Sequence, residues 1–349
     1  MSESTAGLRQ ATCLASVCLL ALTGCAGMER QAEPKLVTES YMIDSADPGI
    51  QLFIRNKHPA GMTQFRSERT LLYVHGATQA ASSTFDLELD GLSWMAYIAQ
   101  HGYDVYLVDL RGYGRSSRPA EMEVPATENP PIVRTDVAVK DVEAAVNHIL
   151  SRRQLNSLDV MGWSWGCAIM GRYAGQQKDK VHRLVLYAPD WVRDAATTSP
   201  QPPLGAYRTW NMADARKGLQ SGAPPERKDE LLSPERFAAW SAAETSTDPD
   251  GAKQVPPVVR TPNGIFADSQ DYWMLGKALW EPSEVAAPTL VVVGEWDGVT
   301  PVTRAQVVFG RLVGTHEKRF VQIGEGTHIV FLEKNRIQLF REVQSFLDE

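Results

Sequence analysis

Short apolar stretches alternate with longer amphipathic ones from about residue 50 to the end of the chain. The apolar stretches are rich in β-branched residues and predict strands at residues 50–55, 70–75, 103–109, 158–162, 181–188, 288–294 and 319–323. Strands this apolar are buried on both faces, which is typical of a parallel sheet covered by helices. The pattern therefore predicts an α/β fold.

Three segments have apolar residues at helical spacing and predict helices at residues 92–100, 135–152 and 335–347. In the second of these, Val142, Val146 and Ile149 lie on one stripe, and Asp136 near the start suits the helix dipole. The alternation stops between residues 193 and 287, a stretch rich in proline, glycine and charge. It is too long for a loop and predicts a helical cap inserted between two core segments, 38–192 and 288–349.

The first 25 residues have the order of an export signal. Arg9 lies in a short polar start, and an apolar run from Ala11 to Leu22 follows. This run is shorter than the roughly 20 apolar residues that a membrane-spanning helix needs. The next residues complete Leu22-Thr23-Gly24-Cys25, which resembles a bacterial lipobox. That resemblance implies a lipid on Cys25 and attachment to the outer membrane, facing the periplasm or the surface.

Two other interpretations of this start stay open. A plain cleaved signal would give a soluble periplasmic protein, and a retained segment would act as an N-terminal anchor. Residues 26–37 are interpreted as a polar tether. Cys13 and Cys18 would leave with the signal, so Cys167 alone remains in the mature domain and no intrachain disulfide can form.

Composition narrows the class of protein. The 349 residues carry a net charge of −7 without a basic stripe, which argues against a nucleic-acid partner. The chain has no G-K-[ST] phosphate loop and no metal-ligand spacing of histidine and cysteine, so no cofactor and no metal are expected. The oligomeric state is not predicted.

A candidate nucleophile lies in Gly162-Trp163-Ser164-Trp165-Gly166, directly after a predicted strand. A reactive serine hydroxyl must be exposed at a tight strand-to-helix turn, and glycine on each side lets the strand and helix approach closely. The free N–H groups at the start of the helix favour negative charge there. G-x-S-x-G also occurs by chance, but the strand before it and the helix after it favour the chemical interpretation.

This segment resembles the nucleophile elbow of the α/β-hydrolase superfamily. The resemblance covers residue 50 to the end apart from the insertion. It implies a mostly parallel central sheet of about eight strands flanked by helices. It also implies an oxyanion hole made by the backbone N–H groups of Trp165 and of Ala77, in His75-Gly76-Ala77-Thr78. His75 is expected to brace that loop.

In this superfamily the order along the chain is serine, acid, histidine. Gly294-Glu295-Trp296-Asp297 follows a predicted strand and resembles the family's acid loop, so Asp297 is the expected acid. His328 lies in a loop between the last strand and the last helix and is the expected base. Asp190 is an alternative acid, since some relatives take it from that strand end.

Three further features were assigned to structure or to a pocket. Trp163 and Tyr113 could wall an acyl pocket, although core packing is the favoured explanation for each of them. The turn 109–116 (DLRGYGRS) resembles a family turn in which the Asp109 and Arg111 side chains pair or cap. Cys167 is expected to be a small packed core residue.

These residues predict a serine hydrolase that acts on a small acyl compound, first of all a carboxylic ester. A peptidase of the proline-iminopeptidase type is an alternative because its elbow is similar, but its HGGPG-type loop is missing here. An acyltransferase that uses the same three residues is another alternative. A binding protein without activity is a further alternative from a different class.

Overall fold

Ten strands are present among residues 34–193, 199 and 201–349, which are the residues that the computed structural model describes. They are β1 (Leu36–Asp44), β2 (Gln51–Pro59), β3 (Thr70–Val74), β4 (Asp104–Asp109), β5 (Leu158–Trp163), β6 (Val181–Tyr187), β7 (Tyr207–Trp210), β8 (Val259–Pro262), β9 (Thr289–Gly294) and β10 (Lys318–Ile323). Eight of them form the central sheet in the order β1-β2-β4-β3-β5-β6-β9-β10.

Six neighbouring strands of the central sheet, in the order β4-β3-β5-β6-β9-β10, are parallel. β3 pairs with β4 and β5, β6 pairs with β5 and β9, and β10 pairs with β9, all in parallel. Only β1 and β2, at one edge, pair antiparallel. The predicted mostly parallel sheet of about eight strands is therefore confirmed.

The edge strand β1 was missed by the sequence analysis. It begins at Leu36, inside the stretch that was interpreted as a tether. Exposed and partly buried residues alternate along it, because successive side chains of a strand point to opposite faces of the sheet and β1, at the edge, is not buried on both. It therefore lacks the continuous apolar run by which the buried strands were recognised.

Helices cover both faces of the sheet. The helices in the described residues are α1 (Ala81–Thr84), α2 (Trp94–Gln100), α3 (Thr135–Arg153), α4 (Trp165–Gln176), α5 (Met212–Leu219), α6 (Lys228–Leu231), α7 (Pro234–Thr245), α8 (Gly264–Asp271), α9 (Val302–Arg311) and α10 (Arg336–Leu347). The buried stripes of α3, α4 and α9 pack on one face, and those of α2 and α10 pack on the other. This layering confirms the α/β architecture and leaves the carboxyl ends of the strands for the loops.

The segment between β6 and β9 contains α5 to α8 and a small second sheet. In that sheet β7 pairs antiparallel with β8, from Tyr207 opposite Pro262 to Trp210 opposite Val259. The sequence analysis expected short helices only. It missed these strands because each spans four residues, too few for a readable periodicity.

The predicted export signal, Cys25 and most of the predicted tether lie outside the described residues. Among the residues that are described, no helix has both the length and the apolar character needed to cross a membrane.

Candidate active site

Ser164 lies at a sharp turn between β5 and α4. Its φ of 56° and ψ of −118° place a non-glycine residue in a rarely populated region. Its N–H donates to the Tyr187 carbonyl of the neighbouring strand (2.9 Å), and its carbonyl accepts from the Cys167 N–H in the first turn of α4 (2.9 Å). The strand on one side and the helix on the other thus hold the strained backbone in place.

The two glycines of the elbow permit the close crossing of β5 and α4. A Cβ at Gly162 would lie 2.2 Å from the Gly166 carbonyl oxygen. A Cβ at Gly166 would lie 2.6 Å from the carbonyl oxygens of both Val74 and His75, at the end of β3. Both separations are far below van der Waals contact, so only glycine fits, as the sequence argument required.

Cys167 is packed behind the elbow. Its Sγ lies 3.0 Å from the Gly162 carbonyl oxygen and 3.1 Å from that of Tyr187. Burial raises the pKa of this thiol well above its ordinary value. A thiol held in the protonated form is a poor nucleophile, which agrees with the expected packing role.

His328 and Asp297 are brought together by the loops that follow β10 and β9. The Nδ1 of His328 lies 2.8 Å from Asp297 Oδ2. Asp297 Oδ1 accepts from the N–H groups of Val299 (2.9 Å) and Thr300 (2.8 Å), which fixes the carboxylate. An Nδ1–H that donates to the carboxylate leaves His328 Nε2 as the proton acceptor.

The backbone of His328 is fixed as well. Its carbonyl oxygen accepts from the Trp163 indole Nε1 (3.0 Å) and from the Tyr187 hydroxyl (2.9 Å). The Trp163 and His328 rings lie 5.3 Å apart between centroids. The residue next to the nucleophile therefore helps to position the candidate base.

Two residues at this site were missed by the sequence analysis. The Thr300 hydroxyl donates to Asp297 Oδ2 (2.8 Å) and lies 3.2 Å from His328 Nδ1. Glu333 accepts from the N–H (3.0 Å) and the hydroxyl (2.6 Å) of Thr327, directly before His328. An Asp followed three residues later by Thr is a local signal that could have revealed Thr300. Glu333 has no such signal.

Asp190, the alternative acid, takes different partners. Its Oδ1 accepts from the Trp191 N–H (2.9 Å) and lies 3.3 Å from Arg304 Nη1 and 3.5 Å from Arg193 Nη1. Burial raises the pKa of Asp190. It contributes to the cavity wall, while the carboxylate hydrogen-bonded to His328 is that of Asp297.

The loop after β3 presents the Ala77 N–H. His75 Nε2 accepts from the Leu110 N–H (3.1 Å), so its Nδ1 carries the proton and donates to the Gly76 carbonyl (2.7 Å). Burial lowers the pKa of His75, which favours this neutral form. In a trans peptide the C=O and N–H point in opposite directions, so His75 also sets the direction of the Ala77 N–H.

The two candidate oxyanion donors have no hydrogen-bond partner among the described residues. Among residues 34–193, 199 and 201–349, neither the Ala77 N–H nor the Trp165 N–H donates a hydrogen bond to the chain. Trp165 is the first residue of α4, where backbone N–H groups are unsatisfied by the helix itself. Both donors remain available for a ligand.

One cavity of about 160 Å³ brings these groups together. Ser164, His328, Ala77, Trp163 and Trp165 line it from the core side. Its other apolar walls come largely from the insertion and are formed by Leu219, Ile265, Phe266 and Trp273. Ligand sites of this type combine apolar walls with a few convergent polar groups.

Tyr113 is packed in the core, the place that the sequence analysis favoured over the pocket wall. It is 1% exposed, and its ring packs 4.7 Å from that of His75 behind the oxyanion loop. Its hydroxyl donates to the Ala77 carbonyl (3.0 Å). Trp163 does line the cavity, so only one of the two proposed wall residues is found there.

The turn after β4 is structural, but its two charged residues do not pair with each other. Asp109 Oδ1 accepts from the Ser82 N–H (2.9 Å) and Oδ2 from the Arg115 N–H (3.0 Å). Arg111 Nη2 instead makes an ion pair with Asp141 of α3 (2.5 Å). Asp109 thereby ties α1 to the turn.

Comparison with known proteins gives a family and a fold. The profile of the alpha/beta hydrolase fold family matches residues 69–335. No curated protein sequence matches the chain. Among solved structures, an esterase from Thermogutta terrifontis is 16% identical, with a TM-score of 0.56, over 89% of this chain and 98% of the other. A meta-cleavage product hydrolase from Pseudomonas fluorescens IP01 is 15% identical, with a TM-score of 0.60, and the match covers 88% of this chain and 97% of the hydrolase.

A third similar structure is the thioesterase domain from the curacin biosynthetic pathway. It is 16% identical, with a TM-score of 0.55, and the match covers 90% of this chain and 100% of that domain. Because the identities are low, these three similarities describe the fold. Almost the full length of each structure is matched.

Proposed function

Since the chain belongs to the α/β-hydrolase fold family, we propose that it is a serine hydrolase that cleaves carboxylic esters through an acyl-enzyme on Ser164. One observation carries this proposal. His328 is hydrogen-bonded through Nδ1 to Asp297 (2.8 Å) and lines the same cavity as Ser164. An oriented imidazole that faces the same cavity as a serine hydroxyl at a strained turn is the arrangement expected for a serine nucleophile and its base.

The proposed reaction has two halves. His328 Nε2 accepts the Ser164 hydroxyl proton while Oγ bonds to the ester carbonyl carbon, and the oxyanion that forms accepts from the N–H groups of Ala77 and Trp165. The tetrahedral intermediate collapses, and the alcohol leaves with the proton from His328. His328 then accepts a proton from water while the water oxygen bonds to the acyl carbon. The second tetrahedral intermediate collapses as the Oγ–C bond breaks, and His328 returns the proton to Ser164 Oγ as the free acid leaves.

The cavity favours a small ester over a peptide substrate. A volume of about 160 Å³ is close to that of an engineered cavity that binds benzene, roughly 150 Å³, so it suits a short acyl group. Among the described residues that line it, Asp190 is the single carboxylate, and it contacts Arg193 and Arg304. An aminopeptidase needs an available anion for the substrate's amino group, so this arrangement disfavours one.

The test is activity-based labelling combined with steady-state kinetics on p-nitrophenyl esters. Fluorophosphonate is expected to label the full-length protein, and S164A is expected to lose both the label and at least about 10⁴-fold in kcat. S269A is the matched control, because Ser269 lines the same cavity outside the elbow. Full labelling of S164A would contradict the proposal. Products formed only with an added alcohol acceptor would favour the acyltransferase.

We also propose that Cys25 carries the lipid that attaches the protein to the outer membrane. The support is the lipobox-like sequence Leu22-Thr23-Gly24-Cys25. Intact-mass analysis of membrane-extracted protein is expected to show an N-terminus at Cys25 with added acyl chains. Protein that begins after a different cleavage site and carries no lipid would contradict this proposal and favour the soluble periplasmic alternative.

A further inference from the structure

Arg208 links the insertion to the loop that presents the Ala77 N–H. It lies on β7, and its Nη1 donates to the Pro262 carbonyl of β8 (2.6 Å). Its Nη2 donates to the Ala77 carbonyl (2.7 Å) and to the Thr78 hydroxyl (3.1 Å). One planar guanidinium therefore bridges the small sheet and the oxyanion loop.

The Arg208 guanidinium also packs against a residue of the cavity wall. The Arg208 guanidinium carbon lies 4.4 Å from the centroid of the Phe266 ring, and Phe266 lines the cavity that holds Ser164. A guanidinium stacked on an aromatic face is held in direction as well as in position. The Arg208 guanidinium is therefore restrained by Phe266 as well as by its hydrogen bonds to the oxyanion loop.

The charge of Arg208 is not neutralised by an ion pair. Its three hydrogen-bond acceptors are two carbonyl oxygens and one hydroxyl, and no carboxylate forms an ion pair with it in the part of the chain that is described. Burial lowers the pKa of its guanidinium, as expected for a cation without a compensating anion. The guanidinium is therefore held by hydrogen bonds to the oxyanion loop and to β8 and not by an opposite charge.

Both peptide planes that meet at Ala77 are held by side chains. The Gly76 carbonyl accepts from His75 (2.7 Å), and the Ala77 carbonyl accepts from Arg208 (2.7 Å) and from the Tyr113 hydroxyl (3.0 Å). His75 and Tyr113 belong to the core, whereas Arg208 belongs to the insertion. The orientation of the Ala77 N–H thus depends partly on the insertion.

We propose that Arg208 is a positioning residue for the oxyanion hole, which holds the Ala77 amide in its productive orientation and couples it to the insertion. The inference rests on the proposed serine hydrolase function. Arg208 acts before the tetrahedral intermediate forms, by fixing a donor that would otherwise have to be reoriented at a cost in the transition state.

Arg260 offers a matched control. It lies on β8, the partner strand of β7 in the small sheet, opposite Thr209. Arg260 makes an ion pair with Asp248 (2.8 Å) and donates to the Met122 carbonyl (3.1 Å), without a contact to residues 75–78. Its loss is expected to loosen the insertion without touching the oxyanion loop.

The experiment compares R208M, R208K and R260M in the full-length protein. Turnover of p-nitrophenyl acetate gives kcat and KM, an alkyl boronic acid reports affinity for a tetrahedral adduct on Ser164, and thermal unfolding reports folding. R208M is expected to lower kcat and boronate affinity about 10-fold each while KM changes less than about threefold. R260M is expected to lower the melting temperature with kcat within about twofold of wild type.

R208K covers the case in which R208M does not fold. Lysine keeps the charge and the aliphatic stem, but one ammonium does not reproduce the guanidinium fork that spans the two strands and the loop. It is expected to fold and to lose about threefold to tenfold in kcat. Unchanged kcat and boronate affinity in R208K, or equal losses in R208M and R260M, would overturn the inference.

The two proposals fail in different ways. An unlabelled, inactive wild-type protein would refute the serine hydrolase, and with it this role for Arg208. An active wild type whose Arg208 variants behave like the Arg260 variant would refute the positioning role alone.

Discussion

Glu244 is a buried carboxyl group that is expected to make the stability of the protein fall as the pH rises. It lies on α7 of the insertion and is 1% exposed. It contacts the Ser83 hydroxyl of α1 and accepts weakly from the Ala80 N–H (3.4 Å). Burial raises its pKa to about 8, against the lowering effect of its contacts with Ser83 and Ala80.

A protonated carboxyl at Glu244 can still make the hydrogen bond with Ser83. The Ser83 hydroxyl donates to the Ala80 carbonyl (3.1 Å), so its oxygen can accept a proton from Glu244. A glutamine at this position could make both contacts, since its amide N–H would donate to Ser83 and its carbonyl would accept from Ala80. E244Q therefore removes the ionisation and keeps the geometry.

The size of the effect follows from linkage. The pKa rises from 4.5 to about 8 on folding, so the folded state binds more protons than the unfolded state between these pH values. The contribution of Glu244 to stability should thus be greatest below about pH 4.5 and decline by up to ~1.4 kcal/mol per pH unit until about pH 8. At pH 7 the free energy of unfolding of wild type is therefore expected to be roughly 3 kcal/mol lower than that of E244Q.

Urea unfolding of wild type and E244Q at pH 5, 6, 7 and 8 measures this difference. The stability of E244Q relative to wild type is expected to increase steadily across the series. E226Q is the control, because Glu226 is exposed in the same insertion and its removal should change stability by less than about 0.5 kcal/mol. A wild-type-to-E244Q difference that does not vary with pH would refute the reasoning.

Three further predictions concern the elbow, the acid loop and the N-terminus. G162A is expected to lose more than about 3 kcal/mol of stability or fail to fold, because its Cβ would lie 2.2 Å from the Gly166 oxygen. G218A in α5, where nothing lies within 4 Å of the added Cβ, should unfold at or above the wild-type urea midpoint. Equal midpoints for both variants would contradict this prediction. T300V is expected to lower kcat about 10-fold with little change in KM, because it removes the hydroxyl that donates to Asp297 (2.8 Å). T300S keeps a hydroxyl and should restore most of the loss. A loss of kcat in T300S as large as that in T300V would contradict this role for the hydroxyl. C25S is expected to release the protein from the membrane fraction or leave its signal uncleaved, and unchanged fractionation and mass on immunoblots would argue against a lipid at that residue.

Much of the fold could be read from the chain because its signals are local. A strand buried on both faces is a continuous apolar run, so β3 and β9 are recognisable wherever they pack. The elbow is local too, since Gly162 and Gly166, on either side of Ser164, must be glycine for the strand and helix to pack this closely. The order of Ser164, Asp297 and His328 along the chain completed the candidate site.

Tertiary structure alone decided which distant groups meet at that site. Arg208 contacts the Ala77 carbonyl across 131 positions, and Glu244 contacts Ser83 across 161. Neither contact leaves a periodic or spacing signal, because a side chain's long-range partner depends on how the insertion folds over the sheet. The physical reason is that the pattern of apolar residues specifies which face is buried, whereas hydrogen-bond partners are set by the packing of whole elements.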